Sequence, residues 1–139
     1  MTITSTENVM SGIHILIKKE KERMIKLNVG KVERYLSVLK SVFVQNGQYG
    51  DEIIFAWDIT GHPTISYISE SYGIWSERYG EEAFERLSKA VKFLTGEQLI
   101  NGSDFDESKV IGKKALLSIA YNKNNNPYIS SRKHIEGEN

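Results

Sequence analysis

The 139-residue chain contains no cysteine, only two prolines and no long apolar run. The absence of cysteine excludes disulfides, thiolate metal ligands and a cysteine nucleophile, and it is typical of proteins in a reducing cytosol. The longest apolar runs span a few residues, whereas a membrane-spanning helix needs roughly 20, and the start has no basic, apolar signal pattern. We therefore expect a cytoplasmic protein that has no membrane partner.

Catalytic and metal-binding motifs are also missing. The three histidines, His14, His62 and His134, lie far apart in the sequence and show no HExxH spacing. The acidic stretch 104–107 resembles a fragment of a calcium loop but lacks the glycine and the closing glutamate of that motif. No P-loop, GxGxxG or GxSxG stretch occurs. We therefore expect no metal site, no cofactor and no enzymatic activity.

Positive and negative side chains are unevenly distributed along the chain. The net charge is zero, yet residues 1–50 carry 8 basic and 4 acidic side chains, residues 51–108 carry 4 and 12, and residues 109–139 carry 6 and 2. If the first and last segments meet in space, they form a basic face on a neutral molecule, as local binding of phosphates requires. Chance variation among solvated faces is the alternative explanation.

What the sequence does contain is one strongly amphipathic segment, Gly80–Gly96. Its apolar residues recur every three or four positions, which is typical of a core-facing helix, and Phe84 is expected to be buried with them. Glutamates fill the first turns and lysines the last, an arrangement that stabilises the helix dipole at both ends. Gly96 follows the last apolar residues and is predicted to end the helix in the left-handed conformation. A chain of this length is expected to form one domain.

Patterns typical of β-strands lie on both sides of this helix. The segment Asp51–Thr60 alternates apolar and polar residues and predicts a strand whose Trp57 lies in the core. The segment Lys31–Val44 predicts an earlier strand, and Arg34 and Lys40 interrupt its alternation, as a bulge would. A helix is the alternative for this segment, because some of its apolar residues also lie at helical spacing.

Three further strands are predicted, and with them the order of strands and helix along the chain is that of a known fold. They are predicted at Thr64–Glu70, after Gly112 and at Tyr128–Arg132. Three strands, one helix and two strands is the order of the OB-fold, an all-β, five-stranded Greek-key barrel with one helix between strands three and four. The predicted divisions of the chain are an N-terminal extension over residues 1–29, the OB-fold domain over 30–135 and a tail over 136–139.

Several phrases of the sequence also resemble a known family. A GD-type turn at Tyr49–Asp51 precedes the alternating strand IIFAWDI, and the helix ends in Leu94–Gly96 before the phrase DFDESKVIGKKALLSIAYN. Over roughly residues 30–135 the chain resembles the small OB-fold proteins of bacteriophage replication modules that bind single-stranded DNA. The resemblance implies sequence-tolerant binding of single strands in a groove over the barrel, and a location in the host cell cytoplasm if a phage encodes the protein.

An unpaired strand requires cations for its phosphates and exposed rings for its bases, and the chain has seven Tyr, five Phe and two Trp. Available rings are expected in the loop before the helix, on the third strand and around the last hairpin, and cations in the two basic segments. The predicted nucleic-acid-binding residues are Arg34, Lys40, Tyr67, Tyr72, Trp75, Lys113, Lys114, Tyr121, Lys123, Tyr128, Arg132 and Lys133.

The function predicted from the sequence is non-catalytic, largely sequence-independent binding of single-stranded DNA in DNA replication or recombination. The predicted partners are single-stranded DNA, replication or recombination proteins, and a second copy of the chain in a homodimer. Two alternatives stay open. One is a phage structural or adaptor protein that uses a small β-barrel as a protein-interaction module. The other is a regulatory module that binds a replication or recombination enzyme through its acidic helix face.

Overall fold

The computed structural model describes residues 32–136, so the predicted extension over residues 1–29 and all but the first residue of the predicted tail lie outside the described residues. The described part is mostly β-structure with one α-helix. Its elements are β1 (Tyr35–Gly47), β2 (Gly50–Ile59), β3 (Tyr67–Tyr72), α1 (Gly80–Thr95), a short 3-10 turn (Glu107–Lys109), β4 (Lys114–Tyr121) and β5 (Pro127–Lys133). No helix in this part is both long and apolar enough to cross a membrane.

The five strands form one antiparallel sheet in the order β3-β2-β1-β4-β5. The predicted all-β class with a helix between strands three and four is therefore confirmed. The start of β1, Tyr35–Val38, pairs with the start of β4, Lys114–Leu117. This pairing brings the first and last segments of the described chain together in space. No β3–β5 ladder joins the two edges of the sheet within residues 32–136, so the closed barrel stays a prediction.

A β-bulge at Lys40 explains the interrupted alternation of the first strand. The β1–β2 register shifts between Leu39 and Ser41, so Lys40 has no partner of its own on β2. Leu39 lies opposite Trp57 in the core before the bulge. Val42 packs against the core after it. The extra residue therefore changes which positions face inward. The predicted bulge is confirmed, and the helix alternative for this segment is wrong.

The third strand begins and ends later than the sequence indicated. His62 holds the preceding turn, because its Nδ1 accepts hydrogen bonds from the backbone N–H groups of Thr64 (3.1 Å) and Ile65 (3.0 Å). These two residues are therefore in a turn rather than in the ladder. The strand then continues through Tyr72, which lies opposite Ile53.

The helix packs one apolar face against the sheet, and Gly96 ends it at φ 79° with its N–H bonded to Lys92 O, as predicted. Trp57 is fully buried in the same core, also as predicted. Phe84 is only half-buried, so the prediction that it is buried is wrong. It follows Ala83 by one residue, a rotation of about 100° around the helix. Phe84 therefore lies at the edge of the core-facing stripe.

Gly80 begins α1 where the preceding loop passes close to it. A Cβ atom here would lie 2.5 Å from the backbone oxygen of Ile74. We expect Gly80→Ala to lower the free energy of unfolding by about 1–3 kcal/mol, as overpacking does, measured by urea denaturation. Gly73→Ala is the matched control, because a Cβ there would meet no atom within 4 Å, and it should cost less than about 0.5 kcal/mol. Equal losses for both variants would rule out the proposed steric clash.

Candidate nucleic-acid interface

One side of the sheet faces the core, and we call the opposite side the outer face. Residues paired across antiparallel strands point to the same side, and successive residues alternate. Because Trp57 and Ile59 point into the core, Asp58 between them belongs to the outer face. Its neighbours across the sheet are Tyr67 on β3 and Val38 on β1, and Val38 in turn lies opposite Lys114 on β4. One transverse row of the outer face therefore joins an aromatic ring to a cation.

Three aromatic rings lie on the outer face with much of their surface exposed. Tyr67 is 53% exposed, Phe43 40% and Tyr128 47%. Phe43 lies opposite Ile54, the outward neighbour of Phe55, and Tyr128 lies opposite Ala120, the outward neighbour of Ile119. Rings exposed in this way are able to stack on unpaired bases.

Three lysines share the outer face with these rings. Lys114 lies opposite Val38, and Lys133 lies opposite Leu116, two residues further along β4. At the bulge, Lys40 Nζ lies 3.7 Å from Asp58 Oδ2, and both side chains are half or more exposed. Such a surface ion pair contributes at most about 1 kcal/mol, so it competes weakly with a phosphate.

Between the rings runs a row of small side chains, Ser41 on β1, Ala56 on β2 and Ser69 on β3, which we call the small-residue floor. The neighbouring row on one side contains Phe43, and the neighbouring row on the other side contains Tyr67. No long side chain of this row stands above the sheet. Ala56 in the middle of this row is only 2% exposed and the outward-pointing Ile54 beside it 4%, whereas Ser69 at the edge of the row is exposed. Contact with a base is therefore available at the exposed rings and at Ser69, not at the middle of the row.

Two predicted binding residues point into the core instead, and their selection as contact residues is corrected here. Tyr72 is 2% exposed and packs edge-on against Phe55 at a centroid distance of 5.4 Å. Burial, followed by the charge of Glu70, raises the pKa of the Tyr72 hydroxyl. Arg132 lies opposite Leu117 and forms a bidentate ion pair with Glu70, which also accepts a hydrogen bond from Trp57 Nε1 (2.9 Å).

Burial alone would lower the pKa of Arg132, but its hydrogen bonds to Glu70 and the charge of that carboxylate outweigh burial and raise the pKa. The Arg132 side chain is 21% exposed and the Glu70 side chain 12%. A guanidinium held in this way has its charge already neutralised. Arg132 therefore stabilises the fold and offers little to a phosphate.

The other predicted residues are spread around the described domain. Tyr121 and Tyr128 flank the last hairpin but alternate to opposite sides of it, so they do not form one stacking pair. Lys123 lies in the turn between them. The remaining three positions are Arg34, half-buried before β1, Lys113, in a cleft beside the end of α1, and Trp75, exposed in the loop before α1.

Trp75 belongs to a second surface, which we call the acidic groove. This groove has a volume of about 640 Å³ and lies between the loop before α1 and the loop after it. Its apolar lining includes Trp75, Phe84 and Ile100. Carboxylates from Glu77, Glu81 and Asp104 also line it. The groove is unsuited to a polyanion, because its acidic side chains repel phosphates.

Sequence reasoning missed Phe43 and the small-residue floor. Phe43 faces outward only because the extra residue at Lys40 shifts the register of β1 against β2. The break in alternation at Lys40 was the available signal, since a bulge moves every following residue to the other face. The floor needs three strands in register, and no single segment of sequence contains that information.

No protein-family model matches this chain, and no curated protein matches it in sequence. Within residues 32–136 no group of three or more His, Asp or Glu side chains is arranged to hold a metal ion. The chemistry available on the outer face is thus cationic attraction at the lysines and stacking at the rings. That combination is typical of surfaces that bind single-stranded nucleic acid.

Proposed function

We propose that the protein binds single-stranded DNA on the outer face of its sheet, without catalysis and largely without regard to sequence. One observation carries this proposal: lysines from both basic segments share the outer face with three exposed rings. Lys40 comes from the first segment, and Lys114 and Lys133 from the last, on neighbouring strands. The net charge of zero for the chain does not oppose it, because phosphates respond to the local field.

The lysines and the aromatic rings of the outer face contribute different parts of the binding free energy. Each lysine that neutralises a phosphate releases condensed counterions, so this contribution weakens as salt rises. Each ring that stacks on a base contributes about 1–3 kcal/mol, and it does so for any base because every base has a π-face. Tolerance of sequence therefore follows from the stacking rings.

The setting we propose is DNA replication or recombination, where single strands are transiently exposed and must be covered. The resemblance of the chain to small phage replication proteins supports this setting. Double-stranded DNA fits the face less well, because its bases are stacked on one another and unavailable to Phe43, Tyr67 and Tyr128. Preference for single strands is thus the property that the proposed function predicts.

The test is a low-salt titration of the full chain with oligo(dT) and with a duplex of the same length. Fluorescence anisotropy and gel mobility measure the binding. We expect micromolar or tighter binding of oligo(dT), weaker binding of the duplex, and a linear fall of log Kobs with log[NaCl]. Three phosphate contacts from Lys40, Lys114 and Lys133 would give a slope of about −2 on single strands. Unchanged anisotropy and mobility at micromolar protein would contradict the proposal.

A second candidate is a protein-interaction module, and the acidic groove favours it. Exposed Trp75 and Ile100 beside Glu77 and Glu81 are complementary to a basic, apolar peptide segment of a partner protein. This candidate corresponds to the adaptor alternative drawn from the sequence. Size-exclusion chromatography without DNA discriminates the two candidates, because a ring or large complex formed by protein alone favours the adaptor.

A further inference from the structure

A second cationic site lies outside the outer face, beside the C-terminal end of α1. It is a cleft of about 490 Å³ between the last turn of the helix, the segment Gly112–Lys114 and the residues that follow β5. Ligand sites for nucleotide-sized molecules have volumes of roughly 300–1,000 Å³. The cleft is therefore large enough for one nucleotide or for the phosphates of a short stretch of strand.

The lining of this cleft is cationic. It contains Lys92, Lys113 and Lys114 and no carboxylate. Among residues 32–136, none of these three lysines forms an ion pair. Four other clefts in the described part of the chain each have three carboxylates in their lining. In a protein with zero net charge, this segregation concentrates positive potential where a small anion can enter.

An aromatic wall closes one side of the cleft. The ring of His134 stacks on the ring of Phe93 with centroids 3.9 Å apart and planes 10° from parallel, and both residues line the cleft. His134 is exposed. The cleft therefore offers a planar surface beside its lysines, the same pairing of chemistry that characterises the outer face.

The cleft is continuous with the outer face through Lys114. This residue lies in the same transverse row as Val38 and Asp58 and also lines the cleft. The preceding segment is fixed to β1 at the bulge, because Leu39 N donates to Lys113 O (2.9 Å) and Gly112 N donates to Leu39 O (2.7 Å). Two hydrogen bonds thus hold the entrance of the cleft beside the lysine-bearing part of the outer face.

We propose that this cleft binds phosphate groups of nucleotides, and that a single strand on the outer face passes over Lys114 and continues into it. The strand part of this inference rests on the proposed function, whereas the phosphate site does not. Lys92 and Lys113 neutralise phosphates there, and the His134 ring lies alongside the nucleotide that carries them. The footprint of the protein on DNA is therefore longer than the outer face alone.

The test compares the wild-type chain with the K92Q/K113Q double variant, which leaves Lys114 and the outer face intact. Oligo(dT) of about 25 nucleotides covers both sites, whereas one of about 6 covers the outer face only. On the long oligonucleotide, we expect the variant to lower the magnitude of the salt slope by about 1.4, two phosphates at about 0.7 each. The short oligonucleotide should show no change.

K89Q/K109Q is the matched control, since it removes the same charge from exposed lysines that do not line the cleft. Thymidine monophosphate is the second probe. Its binding is measured by the amide chemical shifts of Gly112 and His134 in the wild type and in K92Q/K113Q. A changed slope on the long oligonucleotide alone supports the strand path. In another outcome, the salt slope is the same in the variant and the wild type, while thymidine monophosphate shifts the wild-type amide signals and K92Q/K113Q abolishes those shifts. That result supports the phosphate site and overturns the strand path.

No effect in either arm overturns the cleft as a site, and wild-type binding of oligo(dT) would then still support the proposed function. If the wild type binds no oligonucleotide at all, the proposed function and the strand path fail together. The thymidine monophosphate arm then decides for or against the phosphate site by itself. Equal slope changes in K89Q/K109Q would also overturn the inference, because they would reflect total charge.

Discussion

Replacing Glu70 by alanine should lower the free energy of unfolding by about 3–5 kcal/mol, as much as truncating a buried aromatic side chain of the core. The Glu70 carboxylate on β3 accepts hydrogen bonds from Arg132 on β5 and from Trp57 on β2. Its removal leaves a partly buried guanidinium without a counter-charge and an indole N–H in the core without an acceptor. Both losses are costly, because the Trp57 indole is fully buried and most of the Arg132 side chain is shielded from water.

The same contact explains how the two edges of the sheet are held near each other. Within residues 32–136 the ladder order ends at β3 on one side and β5 on the other. Glu70 and Arg132 connect these edges through side chains, 62 residues apart in sequence. We therefore expect Arg132→Ala to cost about as much as Glu70→Ala, since it leaves the carboxylate uncompensated instead.

Urea denaturation of a small set of variants measures this effect. Glu70→Gln combined with Arg132→Met retains an acceptor for Trp57 and leaves no unpaired charge, so the double variant should lose less than either single alanine variant. Glu52→Ala, a half-buried carboxylate at the start of β2, is the matched control and should lose less than about 1 kcal/mol. A loss below about 1 kcal/mol for Glu70→Ala would show that the edges are held by other contacts.

The sequence predicted those elements whose information is local. In β2 the large side chains Ile53, Phe55, Trp57 and Ile59 recur at every second position, and this period specifies the strand and its core-facing side. The same pattern did not indicate that Ile54 and Ala56, on the opposite side of the strand, are buried as well. In α1 the helical period and Gly96 specify the face and the end. Even the bulge at Lys40 left a local trace, because it interrupts the alternation of β1.

The residues that were assigned wrongly depend on contacts far apart in sequence. The predicted third strand ends at Glu70 and places Tyr72 in the loop before α1, but β3 continues through Tyr72 and points this ring into the core. Arg132 is basic and close to other cations in sequence, yet its partner is a carboxylate on another strand. Neither composition nor periodicity contains such pairings. The sequence also predicts that the two basic segments, residues 1–50 and 109–139, meet in space. It does not indicate which of their lysines share a face, because that depends on the β1–β4 register.

The outer face leads to the second prediction, a loss of DNA affinity when its rings are removed. We expect Tyr67→Ala to weaken oligo(dT) binding by about 5- to 150-fold, which corresponds to one stacked base at about 1–3 kcal/mol. Tyr128→Ala should have an effect in the same range. In both variants the salt slope should stay as in the wild type, because the lysines that contact phosphates are untouched.

Tyr49→Ala is the matched control for these ring variants, since Tyr49 is 70% exposed but lies in the turn between β1 and β2. Fluorescence anisotropy with oligo(dT) at fixed salt measures all three variants, and circular dichroism checks that each is folded. If Tyr49→Ala weakens binding as much as Tyr67→Ala does, exposure alone would explain the losses. A loss confined to Tyr67 and Tyr128 would instead require the bases to lie on the face that also carries Lys40, Lys114 and Lys133, because no other side of the sheet presents those rings to solvent.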